Sequence, residues 1–392
     1  MSSANVYQEL MRHINELYPQ LLPKLIQKLD PIYKKKKILD IEDQWNIIKT
    51  AVLKCDWQRK VYGVNESNVE EVVYERLKLI TGPDNWKKLE EIRVKKFDIP
   101  DDLTYRYFMY FVPTAKIINE RAIEKRKTHP NKAYIVEMNS GQGGTKSTHV
   151  TYLKVFLEFL GNDKVVEWST DKAYKTYRDL EKEKRKHPDI IKARGSPHTH
   201  DIPLLNEKMD DLENQRETTL PGYNKEAYDG KGERTPVKEW EYVPAGTKIV
   251  ILEGAEAAIG PIPDEDLFKP TRERLLKKVE WEFDRDGKAR RFYNEHAKDY
   301  VKTSNRADFV ISLDIALWES WRNRDLQEKK LIKKTGKGMR PEELYPFKGR
   351  YALFRRNVLD VKKRADLVVK IHNFEVVNVT SKTINYISSM LA

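Results

Sequence analysis

The 392-residue chain has one cysteine, Cys55. A lone thiol closes no disulfide within the chain and builds no cysteine-based metal site, so a reducing, intracellular setting is expected. Long apolar runs are missing too. Nowhere do the roughly 18 to 20 unbroken apolar residues of a membrane-spanning helix occur. Arg12, Glu16, Pro19 and Pro23 interrupt the N-terminal stretch where a signal-peptide core would lie. Membrane and secreted classes are set aside on these grounds, and a cytoplasmic location is expected. Internal repeats and long Gly/Ser linkers are also lacking, so boundaries must be read from changes of pattern.

Charge is what the chain has in abundance. Charged residues reach 34% of the sequence, above the roughly 25% of an average globular protein. Aromatic residues still make up 10%, a share that a disordered chain would lack. Lys and Arg number 73 against 61 Asp and Glu, giving a net charge of +12. A positive excess suits a polyanionic partner, because neutralised phosphates release condensed counterions. A solvated surface of mixed sign would give the same totals.

Apolar residues recur at helical spacing over residues 5–29, 42–60, 67–80 and 104–127, as in Leu10, Ile14 and Leu17 or Val69, Val73 and Leu77. These patterns predict a mostly helical, basic N-terminal region over 1–130. Trp45, Trp57 and Trp86 lie near basic residues, where they could stack on bases or, as helical aromatics usually do, fill a core. The Lys34 to Lys37 run reads as a solvated tip. After Pro130 and Asn131 the pattern changes. A strand is expected over Ala133 to Met138, then a glycine turn, a helix over Lys146 to Leu160, and strands at Val165 to Trp168 and Lys248 to Leu252. That alternation is the signature of an α/β domain with a parallel sheet, here assigned to 131–392. Residues 178–247 read as polar and loop-rich, 272–300 and 315–334 as charged helices, and Asp366 to Val379 as a last strand pair.

The turn Ser140-Gly141-Gln142-Gly143-Gly144-Thr145-Lys146-Ser147 sits between strand and helix, where backbone N–H groups converge on an anion. Its composition is that of a P-loop: small residues to wrap phosphates, Lys146 to reach the β/γ oxygens and Ser147 to hold Mg²⁺. Ser140 and Thr145 stand where the strict pattern has glycine, so either the loop is adapted, or nucleotide affinity is weakened, or the segment is an ordinary glycine-rich turn. Glu253 ends an apolar strand and could act on Mg²⁺ or its waters. Asp171, at the end of the strand after the loop helix, could accept a proton from a hydroxyl nucleophile, although a strand-end acid is often only a helix cap.

Taken in order, these segments resemble the D-glycerate 3-kinase group of P-loop kinases, relatives of uridine kinase and phosphoribulokinase, over about residues 99–379. Ser140 to Thr148 falls on the family's P-loop, and Ser169 to Tyr174 on its Ser-Ile-Asp-Asp-Phe-Tyr segment. Arg194 to Asp201 resembles its Arg-Gly-Asn-x-Gly-Thr-His-Asp loop, and Pro221 to Arg234 its Pro-Arg-Tyr-Asn-Lys segment. Ile251 to Gly254 is similar to its Phe-Glu-Gly-Trp strand, and Trp321-Arg322 with Gly336 to Met339 to its lid. The resemblance implies a P-loop NTPase-type parallel sheet flanked by helices, ATP and Mg²⁺ as cofactors, and γ-phosphoryl transfer to a primary hydroxyl. It assigns Gly141, Gln142, Gly143, Gly144, Thr145, Lys146, Ser147 and Thr148 to the nucleotide, and Ser147 and Glu253 to the metal. Lys146, Asp171, Glu253 and Arg322 become the catalytic set, while Arg194, His200, Asp201, Tyr223, Lys225 and Arg234 would line the acceptor.

Departures from the family bear on the acceptor. Lys172 replaces an Asp, Pro197-His198 disturbs the Asn-x-Gly segment, Gly222 replaces an Arg and Ala255 a Trp. A cation at 172 and a small residue at 255 suit an acceptor larger and more anionic than glycerate. Together with the basic helical region, they make the chain look most like the bacteriophage kinases that phosphorylate 5-hydroxymethyluracil in DNA, a step in thymine hypermodification that protects phage DNA from host restriction. Such an enzyme would work in the host cytoplasm. Glycerate or another small metabolite is the alternative acceptor, and a non-catalytic nucleotide-binding protein the second alternative. His198 and His200 are not expected to form a metal pair, because no third ligand stands near them in sequence.

Overall fold

A computed structural model describes residues 3–30, 39–336 and 338–381; the Lys34 to Lys37 run and Lys337 lie outside the described residues. The strands are β1 (Tyr134–Asn139), β2 (Val165–Ser169), β3 (Thr218–Leu220), β4 (Tyr223–Asn224), β5 (Glu233–Arg234), β6 (Glu241–Val243), β7 (Ile249–Gly254), β8 (Phe309–Asp314), β9 (Leu367–His372) and β10 (Glu375–Ser381). Six of them form one sheet in the order β10-β9-β8-β1-β7-β2. β1 pairs in parallel with β7 and β8, β7 with β2, and β8 with β9. All six residues of β1 are buried, as an interior parallel strand covered on both faces requires. Asn373 and Phe374 both take left-handed backbone angles in the two-residue turn that folds β10 back on β9.

The chain divides into two compact units. One takes in the described residues up to Arg121, Thr151–Asp163 and the end of β10; the other takes in Ala122–Val150 and Lys164–Val377. The first unit is helical, as the spacing predicts, around Leu22, Leu25, Trp45, Ile48, Val73 and Leu77. Tyr107 to Phe111 forms a buried π-helical turn against Tyr152 and Phe156. Trp45 is 1% exposed and stacks on Tyr7, and Trp57 is 7% exposed, so neither presents a face to a base. Half-buried Trp86 is flanked by Tyr18 and Tyr107. Among the described residues, no helix is long and apolar enough to cross a membrane.

The second unit holds the sheet. It begins inside the helix Val112–Thr128, ahead of the expected boundary at 130, because Lys125 near that helix's end donates to Ala133 O and to the Asp308 carboxylate. Two helices, Tyr177–Lys186 and Ile202–Glu213, run through the stretch expected to be loop-rich. The Thr176 and Asp201 side chains cap them, and Leu205, Met209 and Leu212 supply the second with a core-facing stripe. β8 falls between two helical patterns, too short for its apolar run to announce a strand. The carboxyl ends of β1, β2 and β7 open on one edge of the sheet, where parallel α/β folds bind their ligands.

Candidate active site

Beyond Asn139 the chain turns through Ser140 to Thr145 into the helix Lys146–Phe159. Gly144 N donates to Gly141 O at 3.1 Å, and Ser140 Oγ donates to Leu313 O at 3.0 Å. Two positions admit only glycine. A Cβ on Gly143, whose φ is +75°, would sit 2.2 Å from Ser320 O, and one on Gly144 would sit 2.0 Å from Ser140 Oγ. The back of the turn is held by the helix Leu317–Thr335, where Ser320 Oγ donates to Gln142 O and Asn323 Nδ2 to Gly143 O. Lys146 Nζ folds over the turn and donates to Ser140 O at 3.0 Å and Gly141 O at 3.1 Å. Thr148 is half-buried in the first turn of the helix that follows.

Thr145, which stands where the strict pattern has glycine, is half-buried in the turn. Its φ is +63°, the left-handed angle at which glycine is unstrained. Its Oγ1 donates to Gly144 O at 2.7 Å and lies 3.2 Å from Nδ1 of His149, one helical turn on. These contacts hold the threonine at an angle that glycine would take without strain. Thr145→Gly is expected to leave nucleotide affinity within about 3-fold of wild type, a difference of no more than about 0.7 kcal/mol. Titration calorimetry would measure it, and a gain beyond tenfold would mean that the side chain crowds the phosphates.

Parallel pairing sets Glu253 beside Met138 and Ser169. Ser147 Oγ donates to its Oε1 at 3.1 Å. Burial and the nearby Asp171 charge raise the Glu253 pKa, while Lys146 opposes them. An exposed hydroxyl touching a carboxylate at a helix start is a donor set suited to a hard, oxygen-seeking cation such as Mg²⁺. Asp171 lies in the 3-10 turn Thr170–Ala173 and accepts from Lys225 Nζ at 2.6 Å and Tyr174 OH at 2.7 Å. Burial would raise its pKa, but Lys225 and Tyr174 outweigh burial and hold the carboxyl well below the usual range.

The remaining expected residues surround this pair. Tyr174 stacks on His200 with centroids 4.3 Å apart and meets Tyr223 edge-on at 5.1 Å. Arg234 donates to Tyr174 O and to the Asp201 carboxylate at 2.8 Å. Arg194 lies over the Tyr223 ring and donates to Gly230 O and Lys231 O. His200 pairs with Tyr300 OH at 2.6 Å, and burial, opposed by Asp171, lowers its pKa to about 4, so the ring is neutral near pH 7.

Arg322 is not brought to this group. It points to Glu319 and Asn373 and lies over Trp318. Arg324 of the same helix, missed in the sequence, instead lines a cavity of about 760 Å³ with Lys192, Arg194, Lys225, Arg340 and Arg350. Two residues along a helix turn a side chain by about 200°, enough to reverse its face. Glu256 was also missed. It is 1% exposed, accepts from Thr170 Oγ1 at 3.2 Å, and has its pKa raised by burial and by Asp171. Its position just beyond Glu253 was the available signal.

Two of the departures that suggest a large acceptor do not face the cavity. Lys172 pairs with Glu241 at 3.8 Å, away from the cavity wall. Ala255 is 1% exposed in a core cluster with Leu317 and Trp321, and its carbonyl accepts from Asn139.

No family model matches the chain. It is 30% identical over 236 residues to the probable ATP-dependent kinase TDA10 of Saccharomyces cerevisiae, covering 56% of this chain and 76% of that protein. Against the uncharacterized kinase mug58 of Schizosaccharomyces pombe it is 26% identical over 237 residues, covering 58% and 82%. A solved D-glycerate 3-kinase from Cryptococcus neoformans shares the fold, with a TM-score of 0.57 at 21% identity over 68% of this chain and 99% of that one.

Proposed function

Since this chain belongs to the D-glycerate 3-kinase-like family of P-loop kinases that includes TDA10, we propose that it transfers the γ-phosphoryl group of ATP to the primary hydroxyl of a small anionic hydroxy acid, glycerate or a close analogue. It is a phosphotransferase with an alcohol acceptor. The observation that carries the acceptor class is the Asp171–Lys225 ion pair. It sets a proton-accepting carboxylate beside a cation able to hold an anionic substrate, in the turn just past the strand that pairs with that of Glu253.

In this reading the turn from Gly141 to Thr148 wraps the triphosphate through its backbone N–H groups, and Lys146 swings from the loop carbonyls to the β/γ oxygens. Ser147 and Glu253 would hold Mg²⁺, which offsets phosphate charge when bound. Asp171 orients the acceptor hydroxyl and takes its proton as the bond to phosphorus forms and the β–γ bridge breaks. Lys225, Arg194 and Arg324 supply positive charge on the cavity wall. Arg234, Asp201, His200 and Tyr223 hold the loops in place, and Arg322 takes no direct part.

A second reading has a specific observation behind it. A cavity of about 760 Å³ with six basic residues among the described residues of its wall exceeds what a three-carbon acid needs and would suit 5-hydroxymethyluracil in DNA, presented out of its stack. The buried tryptophans and the positions of Lys172 and Ala255 weigh against it. Offering labelled ATP with glycerate and with hydroxymethyluracil-containing DNA, side by side, separates the two. Label is expected in the small acid, with little response to salt. Label in DNA, falling steeply as salt rises, would replace the first reading with the second, and ATP binding with no transfer to any hydroxyl would overturn both.

A further inference from the structure

Outside the acceptor cavity, three elements bring histidines and acids together. His198 lies in the loop before Asp201, His296 near the end of the helix Lys288–Ala297, and Asp299 in the turn that follows it. His198 Nδ1 is 3.2 Å from His296 Nδ1, and His296 Nδ1 is 3.0 Å from Asp299 Oδ2. In a tetrahedral site with bonds of about 2.05 Å, ligand atoms stand about 3.3 Å apart, close to these edges.

Proton placement favours a cation here. His198 Nε2 is 2.7 Å from the Glu183 carboxylate, which also pairs with Lys186 at 3.1 Å and Lys175 at 3.9 Å. An ionised carboxylate only accepts, so Nε2 carries the hydrogen and the Nδ1 lone pair faces His296. The single Nδ1 hydrogen of His296 would then have to serve both His198 and Asp299. A carboxylate that fixes the tautomer of a metal-binding histidine is the usual outer partner of such a ligand. His198 also holds this position at a φ of +79°, a left-handed angle that costs an imidazole-bearing residue strain and would cost glycine none.

We infer that His198 Nδ1, His296 Nδ1 and Asp299 Oδ2 form a three-ligand site for a divalent transition-metal ion, zinc by ligand chemistry, with Glu183 orienting His198. The site is separate from the Ser147–Glu253 pair and does not depend on the phosphoryl-transfer reading. Its place in the fold gives it a structural effect. His198 precedes His200 by two residues and Asp299 adjoins Tyr300, whose hydroxyl meets His200. An ion there ties the acceptor-side loop to the end of the helix. His198 also groups with Glu183 and His187, but its Nε2 there carries the hydrogen donated to Glu183.

The test uses the full chain, freed of metal by a chelator and saturated with Mg²⁺ and ATP so that the phosphate loop's own cation is supplied. Zinc affinity is read by competition with a chromophoric chelator, and Co²⁺ reports geometry by visible absorption. One ion per chain is expected, with a tetrahedral Co²⁺ spectrum and a raised melting temperature. His296→Gln and His198→Gly should each weaken binding by at least ~100-fold. His198→Gly relieves the left-handed strain, so an unchanged melting temperature in chelator would show that it folds. Absence of stoichiometric binding, or variants that bind as wild type does, would refute the site. Survival of binding in His296→Gln with its loss in His187→Gln would also refute it, by moving the ion to the other nitrogen.

Discussion

Lys146→Ala is expected to lower the rate of phosphoryl transfer by at least ~10²- to 10³-fold, with a change in stability below about 1 kcal/mol. The two effects come from different parts of the side chain's surroundings. Its ammonium rests on Ser140 O and Gly141 O at the mouth of the loop, which in the proposed reading is where charge develops on the transferring group. Ser140 is fully buried and Gly141 half-buried, so it is the space vacated by the half-buried lysine that lets water reach the two carbonyls in place of the ammonium. Arginine would not substitute, because its planar fork does not fit the compact cradle. Labelled-phosphate transfer with saturating ATP, alongside urea denaturation, measures both quantities. Transfer within about tenfold of wild type would mean that the loop holds something other than a reacting triphosphate.

Asp171→Asn should remove at least ~10²-fold of the rate while sparing ATP binding, since the amide neither accepts the hydroxyl proton nor pairs with Lys225. The sign of the pH response follows from the depressed pKa. A carboxyl held below its ordinary value is ionised throughout the range from about pH 5 to 8, and the stability it adds is lost only as pH falls through the lowered folded value. Asp171 itself should therefore put no break in the wild-type rate profile near neutrality. Lys225→Met leaves the half-buried carboxylate without its cation, so an acid limb should appear and move toward neutral pH. Identical profiles for wild type and Lys225→Met would show that the ion pair does not tune the base.

Much of this was legible in the residues because the signals are local. The apolar run before Ser140, the glycines after it and the carboxylate of Glu253 each act within a few positions, and the helical spacing of the first third survives into the structure. What escaped depends on direction or on distance along the chain. Arg322 and Arg324 differ by two letters and by the whole width of a helix. The helices of the polar stretch owe their starts to the Thr176 and Asp201 caps, weak marks in a charged background. His198 showed no third ligand because His296 comes 98 residues later and Asp299 lies beyond it, both brought close only by folding.

Thr145 carries a lesson for how such cradles are found. At that point the main chain takes a left-handed torsion, and a threonine braced by an imidazole one turn along holds it at a cost in strain that glycine would not carry. Surveys that search by letter will pass over chains like this one, whereas a survey of main-chain geometry would recover them.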